Sequence, residues 1–434
     1  MALSVLAGVF ACALVGCTPQ ADPPDATSSR SSATEPAEGS ASGSDGPSTS
    51  ATVDPTTPLS WGPTAGELAE AQSVVAAMSS EQLAGQVIVG RYLGTDPAEV
   101  AAMLRDLHLA GISITSGNVV DEAQVREMTA ALTQAATDDG RDFPPVLGVD
   151  QEGGYVSHLR GIATEFPAFD TAGEAIEADP LAGREAVRQA AFATGLELRE
   201  LGFTWVFAPV ADVTIGAADP TIGTRSASED PAIAAEATAA AIRGFEAAGV
   251  VSTVKHFPGH GAATSDSHET LPELGSSLTQ LETHDLPPFE AAIATRAPAV
   301  MMAHLDLAAI APGVPSSLAP EVYALLRDDL GFEGVTITDS LGMGAVASTF
   351  KPAVAALNAG ADLLLMPVDT AETHRVVTQA IEDGDVSQER IEEAAARVVA
   401  IQLWQQRIAA EVAVPADVTT LAQDAAAALS AAAY

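Results

Sequence analysis

Val250-Val251-Ser252-Thr253-Val254-Lys255-His256, followed at once by Phe257-Pro258-Gly259-His260-Gly261, is a short apolar run that ends in ionisable side chains and then in a turn. A run of this length, rich in β-branched residues, reads as a strand buried on both faces. The Pro and Gly residues after it cannot continue as helix. Seven more runs of the same kind lie at 86–90, 110–116, 145–151, 203–210, 299–305, 334–339 and 361–367. Longer amphipathic segments separate them. Of these, 180–201 and 231–248 carry Ala, Leu, Arg and Glu with apolar residues three and four apart, the spacing of a helix face. Eight strand-helix units over residues 61–410 predict an α/β fold, a (β/α)8 barrel of the TIM type, over an open doubly wound sheet.

A barrel demands that chemistry sit where its strands end. Five runs meet that demand: one closes in Asp150-Gln151-Glu152-Gly153-Gly154, others in Ala211-Asp212, in Lys255-His256, in Met302-Ala303-His304 and in Thr338-Asp339-Ser340. Residues 255–268 hold three of the eight histidines and one of the two lysines of the chain. Lys255 and His256 are hydrogen-bond donors suited to a sugar, phosphate or carboxylate. Asp266-Ser267-His268 sets a carboxylate two residues from an imidazole, close enough to fix its tautomer and orient it for proton transfer. A zinc site drawn from His256, His260, Asp266 and His268 is the rival reading. The Pro-Gly between the first two breaks the helical His-x3-His spacing on which such a ligand pair relies. Asp339 at a strand tip could serve as nucleophile, metal ligand or helix cap. Its company favours the first: a carboxylate on one strand and a proton-transfer residue on a nearby loop are the two parts of a retaining glycosidase.

The segment from Lys255 to Gly261 followed by Asp266-Ser267-His268 resembles the signature of glycoside hydrolase family 3, in its single-barrel β-N-acetylglucosaminidase branch. The resemblance runs over 78–402 and takes in Asp150-Gln151-Glu152-Gly153-Gly154, Phe207-Ala208-Pro209-Val210, Thr224-Arg225-Ser226 and Ile337-Thr338-Asp339-Ser340-Leu341, in the family's order. It implies that Asp339 is the nucleophile and His268 the acid/base, assisted by Asp266. It also implies that Asp150, Arg225, Lys255 and His256 bind a terminal N-acetylglucosamine, and that neither metal nor organic cofactor is needed. Tyr155 and His158 stand where the family writes arginines, the second of which touches the sugar, so His158 is the candidate contact here. The expectation is a retaining exo-β-N-acetylhexosaminidase acting on cell-wall fragments or related glycosides. Phosphorolysis or β-glucosidase activity at the same site are the alternatives, and a sugar-binding lipoprotein without turnover is the non-enzymatic one.

The remaining sequence bears on location and partners. Residues 2–16 are apolar and too few to span a bilayer, but of the length of a signal-peptide core. They end in Leu14-Val15-Gly16-Cys17, which resembles a bacterial lipobox with Cys17 as the lipidated residue. Residues 18–60 contain 17 Ser or Thr and seven Pro, and read as a disordered linker between that anchor and the barrel. The expected location is therefore extracytoplasmic, at the cell membrane. Residues 411–434 read as an alanine-rich tail that can close as a helix. Cys12 and Cys17 are the only cysteines, which excludes a disulfide framework or a Cys-ligated metal in the barrel. A formal charge of −39 repels a phosphate backbone and argues against nucleic acid as a partner.

Overall fold

The computed structural model describes residues 54–434; the leader, Cys17 and most of the linker lie outside the described residues. Eight parallel strands form the sheet: β1 (Ile88–Arg91), β2 (Gly111–Ile114), β3 (Val146–Val149), β4 (Trp205–Val206), β5 (Val251–Phe257), β6 (Ala299–Met302), β7 (Val335–Thr338) and β8 (Leu364–Leu365). Neighbours pair in the order β7-β6-β5-β4-β3-β2-β1-β8, and a parallel bridge between Ile337 and Leu363 closes the ring. The result is the (β/α)8 barrel that the eight apolar runs predict. β2, β3, β5, β6 and β7 are buried at every position, because one face fills the barrel and the other meets the helix layer. β4 is shorter than its run. Thr204 accepts the Leu147 N–H through its hydroxyl, and Pro209 has no N–H to offer a ladder.

The helices that follow the strands are α1 (Pro97–Asp106), α2 (Glu122–Asp138), α3 (Pro180–Glu200), α4 (Pro231–Ala248), α5 (Pro287–Ala294), α6 (Pro320–Ala324), α7 (Pro352–Ala359) and α8 (Thr370–Asp383). Three of them start on an Asp-Pro pair. The carboxylates of Asp96, Asp179 and Asp230 accept from the N–H groups of Ala98, Leu181 and Ala232, while the proline occupies the first helical position, where no N–H is missed. α4 ends on Gly249 in the left-handed region at φ 80°, which turns the chain directly into β5.

At the N-terminal end of the barrel, opposite the expected site, the buried Asp362 accepts from Arg327 and Arg390 at 2.7 and 2.6 Å and from the Thr336 N–H at 3.0 Å. An isolated buried carboxylate would cost roughly 3 to 5 kcal/mol. These partners offset that cost and bind the segments around α6, β7 and the long helix Gln388–Glu411 to β8. The folded unit is larger than residues 61–410. Residues 54–60 are not linker: Arg296 donates to the Leu59 carbonyl, Ser60 to Glu333, and Trp61 is buried. Within the alanine-rich segment 411–434 the helix Val418–Ala432 packs on α3 and buries Val418, Ala422 and Leu429. Among the described residues no helix is long and apolar enough to cross a membrane.

Candidate active site

A cavity of about 450 Å³ opens at the C-terminal ends of the strands. Asp150, His158, Arg225, Lys255, His256, His268 and Asp339 all line it, so residues far apart in sequence meet on one face. Asp266 stands behind His268 and does not line it.

The floor is an ionic cluster centred on a residue to which the sequence reading gave no role. Glu152, on a short strand beyond β3, receives a forked contact from Arg225 at 2.8 and 2.9 Å and a further one from Lys255 at 2.6 Å. Burial raises the Glu152 pKa, but the two cations outweigh it and hold the carboxyl at about 2. Lys255 also reaches Asp150 at 2.5 Å. Burial alone would lower the lysine's pKa, yet Asp150 and Glu152 keep it raised and its charge fixed. Lys255 and Arg225 are thus immobile donors, set by Glu152 before any ligand arrives.

Asp212, at the end of the run that contains β4, does the same for His256. Its fully buried carboxylate accepts from the His256 and His260 N–H groups and pairs with His256 Nδ1 at 2.7 Å. That bond makes Nδ1 the protonated nitrogen and leaves Nε2 for the cavity. Asp339 follows β7, and its carboxylate accepts the Ser340 N–H at 2.7 Å. Burial raises the Asp339 pKa, while His256, His304, that N–H and Lys255 together bring it below the ordinary aspartate value. His304 is buried behind it, with Nε2 donating to the Ser340 carbonyl at 3.0 Å and Nδ1 accepting from Ser317 at 2.6 Å. Burial lowers its pKa, in keeping with a neutral ring that braces the backbone beyond Asp339.

His268 and Asp266 lie on the loop after β5. The Asp266 carboxylate accepts the backbone N–H of His268 at 2.9 Å and pairs with its Nδ1 at 2.7 Å, so the ring is oriented and Nε2 is the free nitrogen. The His268 side chain is 66% exposed, far more open than His256 or Asp339. The four histidine and aspartate residues of the rival zinc reading are spent separately: His256 on Asp212, His260 on Ser267, and His268 on Asp266. Among the described residues no three His, Cys, Asp or Glu side chains form a metal-holding group.

Comparison with known proteins puts this arrangement in a family. Residues 75–401 match the glycosyl hydrolase family 3 N terminal domain. The chain belongs to glycosyl hydrolase family 3. It is 32% identical over 334 residues to beta-hexosaminidase A of Pseudoalteromonas piscicida, covering 71% of this chain and 55% of that longer protein. It is 37% identical over 282 residues to a beta-hexosaminidase of Stenotrophomonas maltophilia, covering 63% and 82%. The solved structure of a family 3 beta-N-acetylglucosaminidase from Paenibacillus sp. superposes with a TM-score of 0.73 at 33% identity, over 80% of this chain and 68% of that one. The protein is accordingly a glycoside hydrolase with a carbohydrate as its substrate.

Within this family 3 hydrolase both departures from the expected arginines border an outer groove, and of the two only His158 also lines the cavity. His158 lines the cavity, 3.9 Å from the Asp150 carboxylate, too far for a hydrogen bond. Tyr155 is 62% exposed and borders the outer groove without lining the cavity. Arg160 donates to the Gly154 carbonyl and lines the same outer groove, so it does not replace the missing guanidinium. Replacing His158 by Arg should therefore add a charged donor to the cavity without a change at Tyr155. One such bond is worth about 1.5 to 3 kcal/mol. We expect His158→Arg to raise kcat/KM on N-acetyl-β-glucosaminides more than on glucosides. Equal or lower values on both would show that the site is already complete.

Proposed function

We propose that this hydrolase removes a terminal β-linked N-acetylglucosamine with retention of configuration through a covalent glycosyl–Asp339 intermediate. In the first step an Asp339 carboxylate oxygen attacks the anomeric carbon. The bond to the leaving oxygen breaks, and His268 Nε2–H gives that oxygen its proton. In the second step Nε2 takes a proton from water, the water oxygen attacks the anomeric carbon, and the bond to Asp339 breaks. Asp266 orients the ring in both steps. Asp150, Lys255, Arg225, His256 and His158 hold the sugar hydroxyls. The observation that carries this reading is the meeting, in one cavity, of an aspartate held ionised and an imidazole whose outer nitrogen is free. The hexosaminidase and N-acetylglucosaminidase names of the relatives support the choice of sugar.

The substrates we propose are cell-wall fragments in which N-acetylglucosamine is linked to a sugar bearing a carboxylate. Arg91, at the tip of β1, lines the cavity, and its guanidinium makes no hydrogen bond or ion pair among the described residues; only its backbone does, with Thr370. An unpaired guanidinium there suits a carboxylate on the bound substrate. Release of the β-anomer from N-acetylglucosaminyl-N-acetylmuramic acid, followed by NMR, tests the reaction; α-anomer as the first product would overturn retention. Arg91→Ala should raise KM on that substrate about tenfold or more, equivalent to ~1.4 kcal/mol, and leave uncharged chitobiose unaffected. Equal losses on both would remove the carboxylate from the argument.

We further propose that Cys17 carries lipid and holds the enzyme at the outer side of the cell membrane, with residues 18–53 as its tether. The support is the Leu14-Val15-Gly16-Cys17 motif and the Ser, Thr and Pro content that follows. Cys17→Ala should abolish labelling by a palmitate analogue. A wild-type protein released without label would refute the anchor.

A further inference from the structure

The side chain assigned to proton transfer is among the most exposed in the cavity, and an exposed loop residue needs something to hold it. Asp266 fixes the ring of His268 relative to its own loop only. What fixes the loop is Ser267, buried between its two exposed neighbours, together with the loop after β7. Ser267 Oγ pairs with His260 Nε2 at 3.0 Å. Its carbonyl accepts from the Ala345 N–H at 3.2 Å, and the His268 carbonyl accepts from the Gly344 N–H at 2.9 Å. The short turn Gly344–Val346 begins five residues after Asp339, so the chain that carries the carboxylate also grips the chain that carries the imidazole.

Gly344 makes that contact possible through its size. A Cβ at this position would lie 2.3 Å from the Glu269 carbonyl oxygen and 2.8 Å from that of His268. Both are backbone atoms, which cannot swing aside as a side-chain tip can. The position is not among the glycines with positive φ, so its own backbone conformation is open to alanine. The cost of a side chain here falls on the spacing of the two loops.

We propose that Gly344 is a positioning residue for proton transfer: by letting the loop after β7 lie against the loop of Asp266 and His268, it sets where the imidazole stands relative to Asp339. The proposal rests on the assignment of His268 as acid/base and adds the element that places it. Misplacing a catalytic group by about 1 Å costs on the order of 100-fold. Gly344→Ala should therefore lower kcat/KM, which reports the step in which the leaving group departs, about 10- to 100-fold on aryl N-acetylglucosaminides with poor leaving groups. On the best leaving group kcat/KM should change little, because any loss there falls on the second step and lowers kcat and KM together.

In a His268→Ala background the same substitution should cost nothing more, because the group it misplaces is gone. A purely structural role would slow all substrates alike and add to the His268→Ala loss; either result overturns the proposal, as does no effect at all. Gly275→Ala is the control, since a Cβ there meets nothing within 4 Å. If Gly344→Ala fails to fold, Ser267→Ala removes the His260 tie without adding bulk and should show the same leaving-group signature; its absence would count against the proposal. The two readings separate cleanly. Leaving-group dependence in His268→Ala but not in Gly344→Ala or Ser267→Ala defeats the positioning role alone, whereas no such dependence in His268→Ala defeats the acid/base assignment and the positioning role with it.

Discussion

Asp339→Ala is expected to lower kcat by a factor on the order of 10⁴ to 10⁶, the scale on which removal of a catalytic nucleophile acts, while the barrel stays folded. The fold is spared because, among the described residues, the carboxylate accepts only the Ser340 N–H, and His304 still braces the adjoining backbone. A 5-fluoro glycosyl fluoride should trap the wild-type enzyme on a peptide containing Asp339, as read by mass spectrometry. Trapping at another carboxylate would dismiss Asp339 from the role. Its titration gives a second check. Burial raises its pKa, but His256, His304, the Ser340 N–H and Lys255 bring it below the ordinary 3.8, so protonation of Asp339 can limit activity only below that pH. Linkage has the matching sign. A carboxylate depressed in the folded state contributes stability above its unfolded pKa, and that contribution is lost as pH falls through the folded value. The wild type should thus be slightly more stable than Asp339→Ala at neutral pH, and the difference should shrink below pH 3.8.

The barrel was legible because its strands are hidden on both faces, which writes each of them as an apolar run that needs no partner to be recognised. The candidate site was legible where ionisable residues close those runs, as Asp150, Lys255 and Asp339 do, and these line one cavity. Counter-ions were not, since a carboxylate becomes one only through its partner. Glu152 stands in a motif beside Asp150, yet the arginine that defines it is 73 residues away. Asp212 meets His256 across 44 residues, and His304 meets the Ser340 carbonyl across 36. Composition misled at the N-terminal end of the folded unit, and at the C-terminal end it pointed to a helix but not to its docking. Residues 54–60 have Leu59 as their one large apolar side chain and are ordered by docking on Arg296 and Glu333, whereas 418–432 is helical by its alanine content and is placed by packing on α3.

His268→Ala should show a loss that depends on the leaving group. General acid catalysis is worth about 10² to 10⁴ where the departing oxygen is strongly basic, and almost nothing where it leaves as a stable phenolate. The geometry sharpens the expectation. His268 is open to solvent, so alanine there leaves no buried cavity and no unpaired buried group; the loss is chemical. Asp266 gives the control. Burial raises its pKa, while the backbone N–H and the ring of His268 lower it further, so it is an ionised acceptor at neutral pH. Asp266→Asn keeps an oxygen that can accept from Nδ1–H but removes the charge that favours an imidazolium. It should then lose less than His268→Ala on poor leaving groups and keep the same ordering across the series. Were the kcat/KM of His268→Ala to fall as much on a dinitrophenyl glycoside as on a methylumbelliferyl one, the proton would have to come from elsewhere. The cavity offers few other sources. Asp339 and Glu152 are held ionised, and His256 has committed its Nδ1 to Asp212, so its Nε2 would be the group to examine next.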